Sequence, residues 1–207
     1  MKRIAIVIST QSGHTHKIAK FMADQLGRVD VELDIFNVEL ECAPSSSQLK
    51  AYDAVIVGSP VYLGDFSQRL LDWSWEHRNQ LNTIPSGLFT VSLNAADSRP
   101  KARPVDDKVL RNFIDQTDFH PRFVASMAGA LAYTQYGFFK KCVLQGISAA
   151  AGGPTDTSRD FDLTNWEEVT EFAQAFQSQD MGSGFATINR LPITPQPLWP
   201  VGLPRVA

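Results

Sequence analysis

Seven consecutive residues, Ser9-Thr-Gln-Ser-Gly-His-Thr15, are of the types that bind an oxyanion without a cation. They offer backbone N–H groups and four hydroxyls, those of Ser9, Thr10, Ser12 and Thr15, immediately before a helical pattern. Unpaired amides and the helix dipole both favour negative charge at a helix N-terminus, so the chemistry suited to such a loop is phosphate binding. No Lys follows the glycine, as a nucleoside-triphosphate loop requires, and no G-x-G-x-x-G marks a dinucleotide site. With no Lys or Arg inside it, the loop suits a monoester tethered to a larger ligand. The alternative is an ordinary strand-to-helix turn whose Ser and Thr cap the helix.

Two later segments complement the first. Ser59-Pro-Val-Tyr-Leu-Gly64 offers an aromatic face in Tyr62, a loop stiffened at Pro60, and a glycine that lets backbone approach closely. Ser92-Leu-Asn-Ala-Ala-Asp97 offers Asn94 and Ala95, whose side-chain and backbone groups could address the edge of a ring. Taken singly, each is a routine strand–helix connection. Just beyond, Arg99, Lys101 and Arg103 form a basic run, which is more often a solvated loop than a site.

The elements around these segments say how they meet. Ile4–Ile8 and Ala54–Gly58 are continuous apolar runs suited to central parallel strands, whereas Val31–Val38 alternates as an edge strand does. Ile18, Phe21, Met22 and Leu26 predict a first helix that stops at Gly27. Ser45–Lys50 leaves room for little more than one helical turn. Phe66, Leu70, Trp73, His77 and Leu81 predict a long helix, and Val105, Val109, Leu110, Phe113 and Ile114 another. Leu88–Leu93 and Phe123–Leu131 predict strands four and five. Alternating strands and helices give an α/β, doubly wound, five-stranded parallel sheet, and an edge-like second strand selects the order 2-1-3-4-5. In that order ligands bind beyond the carboxyl ends of strands one and three, where the first two segments sit.

Phe123–Leu131 and Arg159–Leu163 read as two parts of one fifth strand, split by an inserted helical segment. Thr164-Asn-Trp-Glu167 reads as a capping box opening a last helix with Trp166, Val169, Phe172 and Phe176 on its buried stripe. Residues 1–177 then form one domain, and the Pro-rich 178–207 are expected to be an extended, disordered tail.

At 207 residues, 43% hydrophobic and 20% charged, the composition is that of a soluble protein with one substantial core. Net charge of −3 gives no electrostatic reason to bind nucleic acid. Cys42 and Cys142 form no C-x-x-C, so a reduced, cytoplasmic protein is expected. No signal-peptide pattern or membrane-spanning run is evident. His14 and His16, two apart, do not converge on a helix face, so no metal site is expected.

Residues 9–15 resemble the phosphate loop of flavodoxins, roughly [ST]-x-[ST]-G-x-T, with Thr10, Ser12, Gly13 and Thr15 in place. Ile84–Leu93, Met127-Ala-Gly-Ala-Leu-Ala-Tyr133, Gly152-Gly-Pro-Thr-Asp156 and Thr164–Glu167 narrow the resemblance, which runs over residues 2–177. They are similar to the flavodoxin-like, quinone-dependent (menaquinone-type) protoporphyrinogen IX dehydrogenases of bacteria. That resemblance implies FMN held by Ser9, Thr10, Gln11, Ser12, Gly13, His14, Thr15, Pro60, Val61, Tyr62, Asn94 and Ala95. It further implies oxidation of protoporphyrinogen IX in haem synthesis, with electrons passing to a membrane quinone. Arg99, Lys101 and Arg103 would then meet the propionates, and no side chain is singled out as catalytic. The segment 94–104 is less basic than in that family, with Asp97 intruding, and Tyr136–Ala150 carries fewer positive charges. Phe138, Phe139, Val143, Leu144 and Ile147 with Lys140 and Lys141 suit peripheral contact through 136–150 with the inner face of the cell membrane. Packing of the same stripe on the sheet edge is the somewhat better reading of the residues. Oligomeric state stays open. The alternatives are a flavodoxin-type electron carrier, an FMN-dependent NAD(P)H:quinone oxidoreductase, and more remotely a flavin-free scaffold.

Overall fold

Period-two alternation divides the apolar residues of β1 (Lys2–Ile8) between two cores. Ile4, Ile6 and Ile8 face one side, with Ile18, Met22 and Leu26 of α1 (His14–Leu26) and Val169, Phe172 and Phe176 of α5 (Trp166–Gln179). Ala5 and Val7 face the other, with Leu70, Leu71 and Trp73 of α3 (Gln68–Leu81) and Leu110 and Phe113 of α4 (Arg103–Thr117). A strand buried on both faces cannot alternate polar and apolar residues, which is why its sequence is continuously apolar.

The computed structural model describes residues 1–27, 30–40, 43–62, 64–96, 103–131, 133–135, 145–146, 148–149, 155–179 and 189–190. In it β1 lies between β2 (Val31–Asn37) and β3 (Ala54–Pro60), followed by β4 (Ser86–Ser92) and β5 (Phe123–Ala128). All pairs are parallel, so the sheet has the expected order 2-1-3-4-5. Every residue of β3 is buried and none of β2 is fully so, as a central and an edge strand require. Between them α2 (Ser46–Leu49) is a single turn, started by a capping box of Ser45 and Gln48.

Three local expectations are corrected. Residues 159–163 do not continue the fifth strand: β6 (Ala130–Leu131) and β7 (Phe161–Asp162) form a separate antiparallel pair at its carboxyl end. The bend is at Gly129, whose N–H donates to Ser92 O while its carbonyl accepts from Leu163 N. At the start of α5 the expected capping box is absent, and Asn165 rather than Thr164 takes the capping position. Asn165 Oδ1 accepts from Glu167 N at 3.1 Å and the Asn165 side chain also meets the Glu168 carboxylate, while the hydroxyl of Thr164 is engaged elsewhere. Phe66 precedes α3 rather than lying in it, and meets Phe113 ring to ring at 4.9 Å.

Of the region beyond 177, α5 continues to Gln179, and β8 (Asn189–Arg190) pairs parallel with Phe123 and Val124. Arg99, Lys101, the side chain of Arg103, Cys42, Cys142, Gly152–Pro154, most of 136–150 and the rest of the Pro-rich tail lie outside the described residues. Among the described residues no helix is long and apolar enough to cross a membrane.

Candidate functional site

Register brings the three loops side by side. Ile8 pairs with Gly58 and Pro60 with Val91, so the carboxyl ends of β1, β3 and β4 finish along one edge of the sheet. The ladder continues into the loops: Ser9 N donates to Gly58 O at 3.0 Å and Val61 N to Val91 O at 2.8 Å. Both loops therefore leave the sheet from fixed points.

In the first loop Ser9 and Thr10 are buried, while Gln11, Ser12 and Gly13 are exposed. Gly13 is the N-cap of α1 at φ +82°, and a Cβ built on it meets nothing within 4 Å. No side chain caps the helix, so the Ser and Thr residues are not conventional caps. Among the described residues no acceptor is found for the amides of His14, Thr15 and His16; the first intrahelical bond is Lys17 N to Gly13 O. Three first-turn donors and the helix dipole thus stand beside the open space at Gly13.

The hydroxyls divide. Thr10 Oγ1 accepts from Gly13 N at 3.0 Å and keeps its own proton to donate. Ser12 Oγ stands 3.5 Å from the Tyr62 hydroxyl, joining the first loop to the second. Thr15 is buried at the base. Ser9 Oγ donates to Glu39 Oε1 at 2.7 Å, so in this loop Ser9 serves structure.

In the second loop Tyr62 and Asp65 exchange both backbone hydrogen bonds at 3.0 Å, and Gly64 has φ +91°. That turn holds Tyr62 at the rim, 41% exposed. In the third, Asn94–Ala96 form one 3-10 turn, fastened by Ala95 N to Ser92 Oγ at 3.0 Å and Ala96 N to Leu93 O at 3.2 Å. Pro60, Val61, Tyr62, Asn94 and Ala95 are thus gathered with Ser9–Thr15, as the sheet order requires.

Two sets of contacts had not been anticipated. Glu39 follows β2 and accepts from Ser9 Oγ and Ser67 Oγ, tying the first loop to the residue that precedes α3. Its position beside the end of β1 was implied by the order 2-1-3. The other is a cluster around His14, whose Nε2 lies 2.7 Å from Thr164 Oγ1 and 3.8 Å from Asp162 Oδ1. Lys17 Nζ pairs with Asp162 at 2.7 Å and sits 5.0 Å from the Trp166 ring centre. Burial holds the His14 imidazole below its ordinary value against the pull of Asp162. Burial would raise the Asp162 carboxyl, but hydrogen bonds from Lys17 and Thr164 bring it below the usual carboxylate value. Nothing local in the sequence pairs His14 with a residue 150 positions away.

A family model described as a flavodoxin domain matches residues 5–158. The protoporphyrinogen IX dehydrogenase (quinone) of Escherichia coli (strain K12) is 30% identical over 169 residues, which span 82% of this chain and 91% of that protein. The protein of the same name from Leishmania major is 31% identical over 172 residues, 83% of this chain and 73% of that one. Among solved structures, a short-chain flavodoxin associated with a non-canonical PDU bacterial microcompartment aligns with a TM-score of 0.50 at 13% identity, covering 87% of this chain and 99% of that chain. The last likeness speaks for the fold alone.

Proposed function

The chain belongs to the flavodoxin-domain family, within it to the relatives named as quinone-linked protoporphyrinogen IX dehydrogenases, and from that premise we propose that it is an FMN-dependent oxidoreductase passing electrons from protoporphyrinogen IX to a quinone. The supporting observation is the uncapped N-terminus of α1, whose free amides meet an open glycine in a loop without a cation. That arrangement fits a phosphate monoester on a larger ligand, which FMN is and a bare flavin is not.

The amides of His14, Thr15 and His16 and the hydroxyls of Thr10, Ser12 and Thr15 would hold the phosphate. Tyr62, with Pro60 and Val61, would flank the ring, and Asn94 and Ala95 would address its edge. FMN, when bound, supplies the acceptor that takes hydrogen from the porphyrinogen and returns electrons to the quinone. The chain's own residues bind and orient, and Tyr62 at the rim limits water on one side. Arg99, Lys101 and Arg103, which follow the third loop, are proposed to meet the propionates. Replacing Arg99 and Arg103 together by Ala then raises KM for the tetrapyrrole, and an unchanged KM removes that assignment. Residues 136–150 are proposed to touch the membrane peripherally, where the quinone resides; unchanged vesicle binding after Lys140→Glu with Lys141→Glu removes it.

The test of the reaction is turnover of protoporphyrinogen IX by FMN-loaded protein, followed by porphyrin fluorescence, with and without a menaquinone analogue. Quinone-dependent porphyrin formation well above autoxidation is expected. A yellow, reducible protein without stimulation would point to an electron carrier, and rapid reduction by NADPH to a quinone reductase.

A further inference from the structure

His14 is the first residue of α1, and its own amide is one of the three donors without a protein acceptor. The turn that presents them has two weaknesses. It lacks a side-chain cap, so it tends to fray, and it pivots on a glycine in the left-handed region. Upstream of the pivot the loop is fastened by Thr10 Oγ1 to Gly13 N, by Ser9 Oγ to Glu39, and by Asn37 Nδ2 to Thr10 O at 3.4 Å. Downstream, the polar fastening on the first residue of the helix comes from the His14 side chain.

Thr164 Oγ1 lies 2.7 Å from His14 Nε2 and 3.0 Å from Ala128 O, so it bridges the two. The chain His14 Nε2–Thr164 Oγ1–Ala128 O fixes the start of α1 to the carboxyl end of β5. The Trp166 ring stands edge-on to the imidazole at 6.5 Å between centres. Further along, Lys17–Asp162 and Phe21–Trp166, the latter at 4.8 Å, hold the body of the helix, but they lie beyond the donors.

We propose that His14 is a positioning residue for the phosphate: through Thr164 and Ala128 it does the work of the missing helix cap, keeping the first-turn amides aimed and giving the site its preference for FMN over unphosphorylated riboflavin. The proposal takes the FMN site as its premise. A loop of neutral donors gains affinity by having them fixed before the ligand arrives, since any ordering on binding subtracts from it. Removing the tether weakens phosphate recognition and leaves contacts to the ring unchanged.

The test measures Kd for FMN and for riboflavin, by quenching of flavin fluorescence, in the full chain freed of flavin. Wild type is expected to prefer FMN strongly. His14→Ala and Thr164→Val each reduce that preference about tenfold, the size of one net hydrogen bond, while riboflavin affinity changes less than twofold. His14→Gln and Thr164→Ser, which keep a donor and an acceptor, restore most of the preference, and the His14→Ala/Thr164→Val double variant loses little more than either alone. Equal loss for both flavins, or an unchanged ratio, overturns the role assigned to His14 while leaving FMN binding in place. A wild type that binds neither flavin, or binds both alike, overturns the premise itself.

Discussion

Gly13→Ala separates backbone strain from steric fit at the proposed phosphate loop. At φ +82° an L-residue carries a cost of roughly 1–2 kcal/mol, partly offset by the narrower unfolded ensemble of alanine. A Cβ there meets nothing within 4 Å, so no collision adds to that cost. The net loss is about 1 kcal/mol, a fall in Tm of about 2–4 °C for a chain of this length. Asn is larger but tolerates the left-handed region better, so Gly13→Asn should cost about half as much. Function follows the same dihedral. If the Ala variant relaxes towards negative φ, the amides of His14 and Thr15 swing away, and FMN affinity falls about tenfold with little change for riboflavin. Thermal melts of the flavin-free protein with flavin titrations of the three proteins check this. An Asn variant at least as destabilised as the Ala variant would refute the reasoning, since the limit would then be space.

Gly58→Ala should fail for the opposite reason: its Cβ would lie 2.2 Å from the fully buried Phe89 ring, so repacking costs about 1–3 kcal/mol, read as a lower denaturation midpoint with unchanged slope. Glu39→Ala strips the acceptor from Ser9 and Ser67 and should lose about 1–2 kcal/mol, discounted because the carboxylate is half-exposed; Glu39→Gln should recover part of it in the same melts. Tyr62→Ala should weaken FMN and riboflavin alike, and an effect on FMN only would place the tyrosine on the phosphate rather than the ring. Acid should expose His14. Its folded value lies below the ordinary 6.5, so the unfolded chain takes up the proton first; its contribution is complete above about pH 6.5 and is lost as pH falls through the folded value. His14→Gln should therefore flatten the decline in stability below pH 6.5, and an unchanged slope would contradict it.

The parts of the fold legible in the sequence are those governed by periodicity. Continuous apolar runs marked β1 and β3 as central, alternation marked β2 as an edge, and together they set the strand order and hence where the loops meet. What failed was local competition for a hydrogen bond. Thr164 has the sequence context of a helix cap, yet its hydroxyl bridges His14 and Ala128, and Asn165 takes the cap instead. Residues 161–162 have strand composition, but Gly129 turns the chain out of the sheet, so they pair with Ala130–Leu131. The role of Glu39 and the pairing of His14 with Thr164 and Asp162 were missed for a shared reason: each joins partners distant in sequence, and nothing local in the chain marks them.

The distribution of charge among the loops bears on how the chemistry is divided. Among the described residues of the three loops, 9–15, 59–64 and 92–96, only His14 and Tyr62 can titrate, and His14 is turned onto Thr164 at the phosphate end. Glu39 and Asp65 flank the loops, and each is bonded into the scaffold, the first through its carboxylate and the second through its backbone. What remains at the ring end is backbone, Pro60, Val61, the Tyr62 ring and the amide of Asn94. Such a lining suits an orienting surface, in which the redox work belongs to the flavin and the protein fixes pose and access. Rate should then respond to substitutions that move the loops, at Gly13, Ser92 or Glu39, rather than to loss of any single acid or base. The same division would account for the proposed phosphate loop's lack of a cation: its hold would come from preset dipoles, so flavin affinity should depend only weakly on ionic strength. A steep loss between low and moderate salt would instead require a cation at the phosphate.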